Sequence, residues 1–396
     1  MTPQTEQELA DVIASAKGPL RISGGGTRPI GNPVVGEALS TSGLSGISLY
    51  EPGALTIVAQ AGTPVAEIEA ALDSENQRLA FEPMDHRAML GTDGVPTIGG
   101  VVSGNISGSR RISVGACRDH MLGVRFVDGA GVITKNGGRV MKNVTGYDLV
   151  KLLSGAYGTL GVLTEVSLKV LPKPETSATL YLNGLDLSRA VEAMSKALGS
   201  PYEVTGAAYN QAVSLRIEGF EASVAYRMGQ LKTLLAEFGD LTEQPDKKTS
   251  EEIWDSATNV HGFSDAPAVW RISVKPSETP AFIDVLQQMH GFDYALDWGG
   301  GLIWLAAYDD HLSEAAHYHQ DSARHNDTVA GAEVLHTNLQ HNAGRAGGHT
   351  TLIKAPDAVR AAVPVFQPEN PTVTALSKGL RAQFDPRGIL NAGLMG

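Results

Sequence analysis

The feature that most constrains this chain is a glycine-rich stretch, GVPTIGGVVSGNISGSRRISVG, which runs from Gly94 to Gly115. Glycine loses more backbone entropy on folding than any other residue, so this density indicates tight turns or close approach of the backbone to a ligand. Apolar residues are interleaved with the glycines, whereas a solvated linker would be rich in polar residues. Bare peptide N–H groups form concave sites for phosphate oxygens, and Arg110 and Arg111 add cationic donors. The stretch therefore predicts a site for a phosphate-bearing cofactor.

A second glycine cluster, Gly24–Gly26, follows a short predicted strand over Pro19–Ser23. A glycine cluster at the end of a strand suits a pyrophosphate. Pro29 falls where the Rossmann pattern needs its last glycine, and the chain contains no Gly-Lys dipeptide, so neither the Rossmann fingerprint nor a P-loop is present. We expect the glycines of both clusters, Gly25 and Gly99 among them, to serve cofactor approach more than core packing.

Composition excludes several classes of function. The formal net charge of −12 argues against nucleic-acid binding and against an anionic membrane surface. A single cysteine, Cys117, rules out an internal disulfide, a cysteine-ligated iron–sulfur cluster and a four-cysteine zinc site. No apolar run approaches the ~18 residues of a membrane span, and the N-terminus carries acidic residues where a signal peptide is basic. We expect a cytoplasmic protein that inserts into no membrane and reaches the inner membrane only through partners.

The length of 396 residues predicts two or three domains, and Pro172 and Pro174 mark the clearest boundary. Beyond it, two successive runs of strands and helices predict one antiparallel sheet with helices on one face. The strands expected there are Thr179–Leu182, Val213–Ile217, Ala268–Val274 and Leu302–Ala306. The apolar pair Ile389-Leu390 predicts that the C-terminal tail docks on the first domain. The expected fold class is α+β, with domains at 1–172, 173–366 and 367–396.

Several motifs occur in the order expected of FAD-linked oxidases of the PCMH or vanillyl-alcohol-oxidase type. They are Ser23–Thr27, Thr97–Gly100, Lys142–Asp148 with Gly158–Gly161, and Asp385–Gly393. Within this family the chain resembles the smaller flavin subunits of bacterial glycolate oxidases, through Phe81-Glu82-Pro83, Ser109-Arg110-Arg111 and Ala346–Thr350. The resemblance spans nearly the whole chain. It implies a two-lobed FAD-binding domain followed by an α+β cap domain.

The resemblance also implies which residues hold FAD. The implied cofactor residues are Ser23, Gly24, Gly25, Gly26, Thr27, Arg28, Pro96, Thr97, Ile98, Gly99, Gly100, Gly104, Asn105, Ser107, Arg110, Gly161, Val162 and Asn391. The first glycine cluster would hold the pyrophosphate, Gly161-Val162 would meet the adenine side, and Asn391 would approach the isoalloxazine.

The sequence departs from the wider family in three places. The 23–28 loop has no histidine, so the flavin is expected to be bound non-covalently. Gly155–Gly158 reads Gly-Ala-Tyr-Gly, where many catalytic relatives have Gly-Ser-Glu-Gly. The tail continues from Asn391 as Ala-Gly-Leu rather than Pro-Gly-Lys, which removes a cation from that position.

Oxidation of a small 2-hydroxy acid at a flavin needs a cation for the carboxylate and a base for the hydroxyl proton. Arg271 and His349 are the expected catalytic pair. The other candidate cations are Arg28, Arg110 and Lys275, and the other candidate base is His341. Each has an ordinary alternative, since Arg271 would also suit the solvent face of a strand and His349 a turn.

A metal site is not expected. Seven of the eleven histidines lie between His311 and His349, but their spacings match no usual ligand pattern. Catalytic relatives hold a divalent metal in a Gly-His-x-Gly-Asp-Gly-Asn-x-His-like segment, which is missing here. These histidines are therefore expected to be exposed on a solvated helix and loop.

Three functions remain open. In the first, the chain is a flavin subunit of a glycolate oxidase complex that passes electrons to an iron–sulfur subunit, while a larger FAD subunit carries the substrate site. In the second, it is a stand-alone FAD-dependent 2-hydroxy acid dehydrogenase. In the third, it is a structural flavoprotein subunit. The missing metal segment favours the first over the second, and the glycine clusters argue against the third.

Overall fold

Helices and strands are mixed along the whole chain in the computed structural model, which describes residues 1–139, 147–324 and 327–396. The strands are β1 Leu20–Ser23, β2 Glu37–Ser40, β3 Ile47–Glu51, β4 Thr56–Gln60, β5 Gln77–Arg78, β6 Met121–Val127, β7 Ile133–Gly137, β8 Val162–Lys169, β9 Leu171–Pro172, β10 Thr176–Leu182, β11 Val204–Asn210, β12 Ala212–Gly219, β13 Leu241–Gln244, β14 Ala268–Ser273, β15 Asp293–Asp297, β16 Leu302–Ala307 and β17 His349–Lys354. The helices are α1 Glu6–Ser15, α2 Val65–Asp73, α3 Arg87–Leu90, α4 Ile98–Ser103, α5 Arg111–Val114, α6 Leu149–Leu153, α7 Leu187–Leu198, α8 Glu221–Leu235, α9 Lys247–Asn259, α10 Thr279–Gln287, α11 Asp309–Ala316, α12 Thr328–Arg345, α13 Asp357–Ala362 and α14 Pro371–Phe384. The expected α+β class is confirmed.

The chain forms two compact units. The first comprises residues 1–108, 114–173 and 368–396, and the second comprises 109–113 and 174–367. The glycine-rich stretch is thus divided, because its segment Ser109–Ser113 belongs to the second unit. None of the described helices is long and apolar enough to cross a membrane.

The first unit is built on a five-stranded antiparallel sheet in the order β3-β4-β8-β6-β7. Apolar residues of α2, α4 and α6 pack on this sheet and form its core. A separate two-stranded parallel sheet, β1-β2, packs with α1 through a smaller apolar cluster. Thr5 caps helix α1, since its side chain accepts a hydrogen bond from the backbone N–H of Glu8 at 3.1 Å.

The C-terminal tail packs on the first unit, as predicted. The N–H of Leu20 donates to the carbonyl of Ile389 at 2.7 Å, and the N–H of Asn391 donates to the carbonyl of Leu20 at 3.1 Å. Ile389 and Leu390 are buried in the cluster that contains α1 and β1. The tail therefore forms a single parallel bridge beside β1, between Leu390 and Leu20.

The second unit is built on an eight-stranded antiparallel sheet in the order β13-β10-β12-β11-β15-β16-β14-β17. Each half has four strands with the connection β-α-β-β-α-β, and the halves meet where β11 pairs with β15 at Tyr209 and Leu296. The sequence predicted two strands in each half. Strands β11, β13, β15 and β17 were missed because they are short, or contain glycine and charged residues that weaken the strand pattern.

The two faces of this sheet differ in chemistry. Helices α7, α8, α10 and α12 cover one face with a large apolar core. Helix α9 packs on the other face, where the hydroxyl of Ser250 bonds to those of Ser177 at 3.0 Å and Thr179 at 2.8 Å. This second face carries the polar and aromatic side chains from which the candidate site of this unit is built.

Candidate functional site

A loop with unused backbone donors follows strand β1 in the first unit. Within the described parts of the chain, the N–H groups of residues 24–27 have no protein acceptor. Gly26 has φ of 74° and no neighbouring heavy atom near the position of a Cβ. Consecutive N–H groups around a left-handed residue form an anion-binding concavity, which fits the diphosphate of a dinucleotide.

Arg28 adds a desolvated cation to this loop. Its Nη1 atom is buried and has no hydrogen-bond partner in the described structure. Burial lowers the pKa of Arg28 to about 10, while the charge of Asp85 opposes this shift. Asp85 is itself hydrogen bonded to Arg87, with Oδ2 2.7 Å from Nη2. An anionic group in the loop would therefore give the Arg28 cation the partner that the protein does not supply.

The two glycine clusters pack directly on each other. A Cβ on Gly25 would lie 1.6 Å from the carbonyl oxygen of Val95, and a Cβ on Gly94 would lie 1.8 Å from the carbonyl oxygen of Gly25. A Cβ on Gly24 would lie 2.3 Å from Oγ1 of Thr97. The expectation that these glycines serve cofactor approach more than packing is wrong for Gly25, because backbone occupies the space of its missing side chain.

Helix α4 begins at the junction of these clusters, with Thr97 as its N-cap. The N–H groups of Ile98 and Gly99 donate to the carbonyls of Thr63 at 3.0 Å and Ala61 at 2.8 Å. A Cβ on Gly99 would lie 2.7 Å from atoms of Ala61, so Gly99 also serves packing. Pro96 contributes its carbonyl to the N–H of Val65. The first amides of α4 are thus engaged within the protein.

Gly100 is the position of α4 nearest to Arg28, since a Cβ on Gly100 would lie 3.6 Å from Nη2 of Arg28.

The residues that follow α4 stabilise a local turn. The N–H of Cys117 donates to Oγ of Ser107 at 2.9 Å, and the N–H of Arg118 donates to Oδ1 of Asn105 at 3.0 Å. A Cβ on Gly104 would meet the Ile106 side chain at 2.9 Å.

Asn391 lies close to the first glycine cluster, and its side-chain amide is bonded within the protein. Its Oδ1 accepts from the N–H of Ile22 at 2.7 Å, and its Nδ2 donates to the carbonyl of Tyr157 at 2.9 Å. Tyr157 has the left-handed φ of 51°, which is uncommon for a non-glycine residue. Asn391 therefore joins β1 to the 155–158 loop and fixes that loop in place.

The remaining expected cofactor residues make contacts within their own units. A Cβ on Gly161 would be 2.6 Å from the ring of Phe126, and Val162 is buried in β8. Arg110 belongs to the second unit, where its Nη2 lies 2.6 Å from Oε1 of the buried Glu218. The motif at Lys142–Asp148 falls largely outside the described residues.

The two expected catalytic residues are brought together on the second face of the large sheet. Arg271 of β14 and His349 of β17 lie on adjacent strands, with His349 directly opposite Ser273. The guanidinium of Arg271 lies 5.0 Å from the ring centroid of Trp298, and that of Arg111 lies 4.4 Å from it. We call Arg111, Arg271, Trp298 and His349 the cationic cluster.

The positive charges of the cationic cluster favour binding of an anion. Desolvation and the positive charges of Arg271 and Arg111 lower the pKa of His349. A negative ligand would interact with both guanidinium groups, beside an imidazole that is neutral at pH 7. The alternative candidates Lys275 and His341 are exposed residues outside this cluster.

Sequence reasoning missed two members of the cluster. Arg111 was assigned to the phosphate site with Arg110, although its segment packs in the second unit. Trp298 received no role. It has φ of 54° and precedes three glycines, and an aromatic residue in such a turn is the signal that could have identified it.

The histidines do not all behave as expected. His336 is buried on α12, where its Nδ1 accepts from Nε1 of Trp270 at 3.1 Å and its Nε2 donates to the carbonyl of Pro364 at 2.9 Å. The expectation of exposed histidines is therefore wrong for His336. Among the described residues, no group of three or more histidine, cysteine or acidic side chains could hold a metal ion.

Comparison with known proteins agrees with this geometry. A family model described as an FAD binding domain matches residues 1–137. The chain is 33% identical over 393 residues to the glycolate oxidase subunit GlcE of Escherichia coli (strain K12), covering 98% of this chain and 95% of that protein. This chain belongs to the FAD-linked oxidase family. The resemblance inferred from the motifs is confirmed, and FAD is the cofactor of this FAD-dependent oxidoreductase.

Other relatives of this FAD-linked oxidase share parts of it or its fold. It is 36% identical over 141 residues to the glycolate oxidase subunit GlcD of Bacillus subtilis (strain 168), covering 36% of this chain and 28% of that protein. The solved 4-ethylphenol oxidase from Gulosibacter chungangensis, in its isoeugenol complex, aligns with a TM-score of 0.70 and 13% identity, covering 100% of this chain and 88% of that chain. An alkyldihydroxyacetonephosphate synthase aligns with a TM-score of 0.68 and 14% identity, covering 99% and 75% of the two chains. At these identities the solved structures support the fold alone.

Proposed function

We propose that this chain is the FAD-binding subunit of a glycolate (2-hydroxy acid) oxidase complex. In this proposal it passes electrons from 2-hydroxy acid oxidation towards an iron–sulfur subunit, and a larger FAD subunit carries a substrate site. The observation that carries the proposal is the 33% identity with a glycolate oxidase subunit over nearly the whole of both chains. The single cysteine supports it too, because the chain supplies no cysteine-ligated cluster of its own.

The residues of the first unit fit the cofactor. The free N–H groups of residues 24–27 and the desolvated Arg28 cation would hold the FAD diphosphate non-covalently. Bound there, the flavin supplies two-electron oxidation and can pass electrons onward. A subunit with a purely structural role would have no need of a desolvated cation whose Nη1 atom lacks a partner.

A second candidate is a stand-alone FAD-dependent 2-hydroxy acid dehydrogenase, and the cationic cluster favours it. In this candidate Arg271 and Arg111 would bind the substrate carboxylate. His349, whose pKa is lowered by desolvation and by these charges, would accept the hydroxyl proton at a ring nitrogen. These are the groups that oxidation of a 2-hydroxy acid requires from a protein.

The decisive experiment compares the isolated holo-protein with the reconstituted complex. Under the relay proposal, anaerobic glycolate bleaches the isolated flavin little, whereas the chain co-purifies with the larger FAD subunit and the iron–sulfur subunit and supports dye reduction. Rapid, saturable bleaching of the isolated flavin by a simple 2-hydroxy acid would overturn the relay role. The stand-alone dehydrogenase would then take its place.

A further inference from the structure

The second unit contains a cavity of about 450 Å³ between α9 and the second face of the large sheet. Its walls are mainly aromatic and aliphatic, including Trp254, Phe263 and Trp304. Binding sites for small organic molecules are typically cavities of this size, with apolar walls and a few polar groups. Glycolate, the smallest 2-hydroxy acid, would leave most of this volume unfilled.

Several contacts fix the side chain of Trp254 in the cavity wall. A Cβ on Gly206 would lie 2.6 Å from the indole ring, so glycine at this position lets the ring approach strand β11 closely. Nε1 of Trp254 donates to Oγ1 of Thr179 at 3.0 Å, and the guanidinium of Arg216 lies 4.6 Å from the ring centroid. The indole is therefore held in one orientation beside the cavity.

The charges of the cavity wall would not attract an anion. The described residues that line it include Glu252 and Asp297 but no lysine, arginine or histidine. The carboxylate of Asp297 is buried, accepting from Oγ of Ser109 at 2.6 Å and from the N–H of Trp298 at 2.7 Å. The cavity alone would favour an apolar group over a carboxylate.

The cationic cluster borders the cavity at two places. Arg271 is the direct cross-strand neighbour of Trp304, which lines the cavity. Trp298 follows Asp297, which also lines it. Side chains of directly opposite residues lie about 5 Å apart on one face of a sheet. An apolar chamber and an anion-binding group thus lie side by side within the second unit.

We propose that the cavity and the cationic cluster form one ligand site for 2-hydroxy acids with an aromatic or branched apolar side chain. The side chain of the acid would fill the cavity, and Arg271 and Arg111 would bind its carboxylate. The inference rests on the second candidate function, in which this chain itself oxidises 2-hydroxy acids, and it names the substrate class of that site. Burial of a ring in the cavity predicts that phenyllactate binds at least tenfold more tightly than glycolate.

The test is calorimetric titration of the purified holo-protein with phenyllactate, with glycolate and with phenylpropanediol, the neutral alcohol analogue.

Ala257→Phe places a ring in the cavity from α9 and should raise the Kd for phenyllactate at least tenfold. Arg271→Gln should reduce phenyllactate binding towards that of the neutral diol. Ala222→Phe is the matched control, because Ala222 is exposed on α8 and does not line the cavity. If Ala257→Phe does not fold, Ser256→Leu at the cavity edge is the second variant.

Flavin bleaching then separates this inference from the proposed function. Tight phenyllactate binding that Ala257→Phe abolishes supports the site, whether or not the isolated flavin is bleached. Bleaching by glycolate, with no preference for phenyllactate in binding, would overturn the inference and leave 2-hydroxy acid oxidation standing. Equal Kd values for phenyllactate and the diol in the wild type, or an unchanged Kd in both cavity variants, would also overturn it.

Discussion

Replacing Arg28 with methionine should have opposite effects on flavin binding and on the stability of the flavin-free protein. The Nη1 atom of Arg28 is buried without a partner, so the charge is unfavourable until an anion binds. Methionine keeps much of the apolar stem and removes the charge. We therefore expect the flavin-free Arg28→Met variant to be at least as stable as the wild type, although it binds FAD more weakly.

The magnitude follows from the pKa of Arg28. Its fall to about 10 corresponds to about 3 kcal/mol of unfavourable environment for the cation. Because the side chain is partly solvent accessible, we expect about 1–2 kcal/mol of this to appear as stability, or roughly 2–8 °C in Tm. Loss of a charge-assisted hydrogen bond to a phosphate, worth about 1.5–3 kcal/mol, predicts FAD affinity lower by roughly 10- to 100-fold.

The assay pairs thermal unfolding of the flavin-free protein with titration of FAD into it. Arg21→Met is the matched control, because Arg21 lies on β1 but is exposed, and it should change neither quantity. Unchanged FAD affinity in Arg28→Met would refute the assignment of this cation to the diphosphate. A flavin-free Tm several degrees below that of the wild type would refute the argument that the charge is unsatisfied.

Three further outcomes are expected. Gly25→Val and Gly99→Val should each destabilise the flavin-free protein by more than about 4 kcal/mol, because their side chains would overlap backbone atoms; flavin loss at unchanged Tm would contradict this. Since burial lowers the pKa of His336 to about 4, below the usual 6.5, the unfolded chain binds more protons between these values. Stability should therefore fall by about 3 kcal/mol as the pH drops from about 6.5 to about 4, and His336→Gln should flatten that dependence in denaturant titrations. Acid precipitation should release the flavin into the supernatant, and flavin retained on a denaturing gel would show a covalent bond.

Much of the fold could be predicted from local sequence signals. The Thr5 cap, the two glycine clusters and the apolar pair Ile389-Leu390 each determine structure through nearby residues or through burial. Strand β13 was missed because it pairs with β10, which lies far earlier in the chain. Strand identity there is decided by the neighbouring strand rather than by intrinsic preference.

The candidate site was predicted only in part, for a related reason. Arg271 and His349 were identified by residue type, and their proximity comes from the pairing of β14 with β17. The segment Ser109–Ser113 looks continuous with the glycine-rich stretch in sequence, yet it packs in the second unit. No local pattern shows that Arg110 pairs with Glu218, which lies more than a hundred residues further along the chain.

The glycines show why a motif does not by itself define a binding site. Position 25 requires glycine because a carbonyl oxygen occupies the space that a side chain would need. At position 26 that space is open, and the backbone is left-handed. The two residues are adjacent and identical in sequence, but only the second leaves room for a ligand. In our proposal the loop binds the cofactor through the donors that the packing leaves unused: the N–H groups of residues 24–27 and Nη1 of Arg28. Packing of one glycine cluster on the other holds these donors in place without a ligand, so we expect the proposed binding of FAD to cost little reorganisation of the loop.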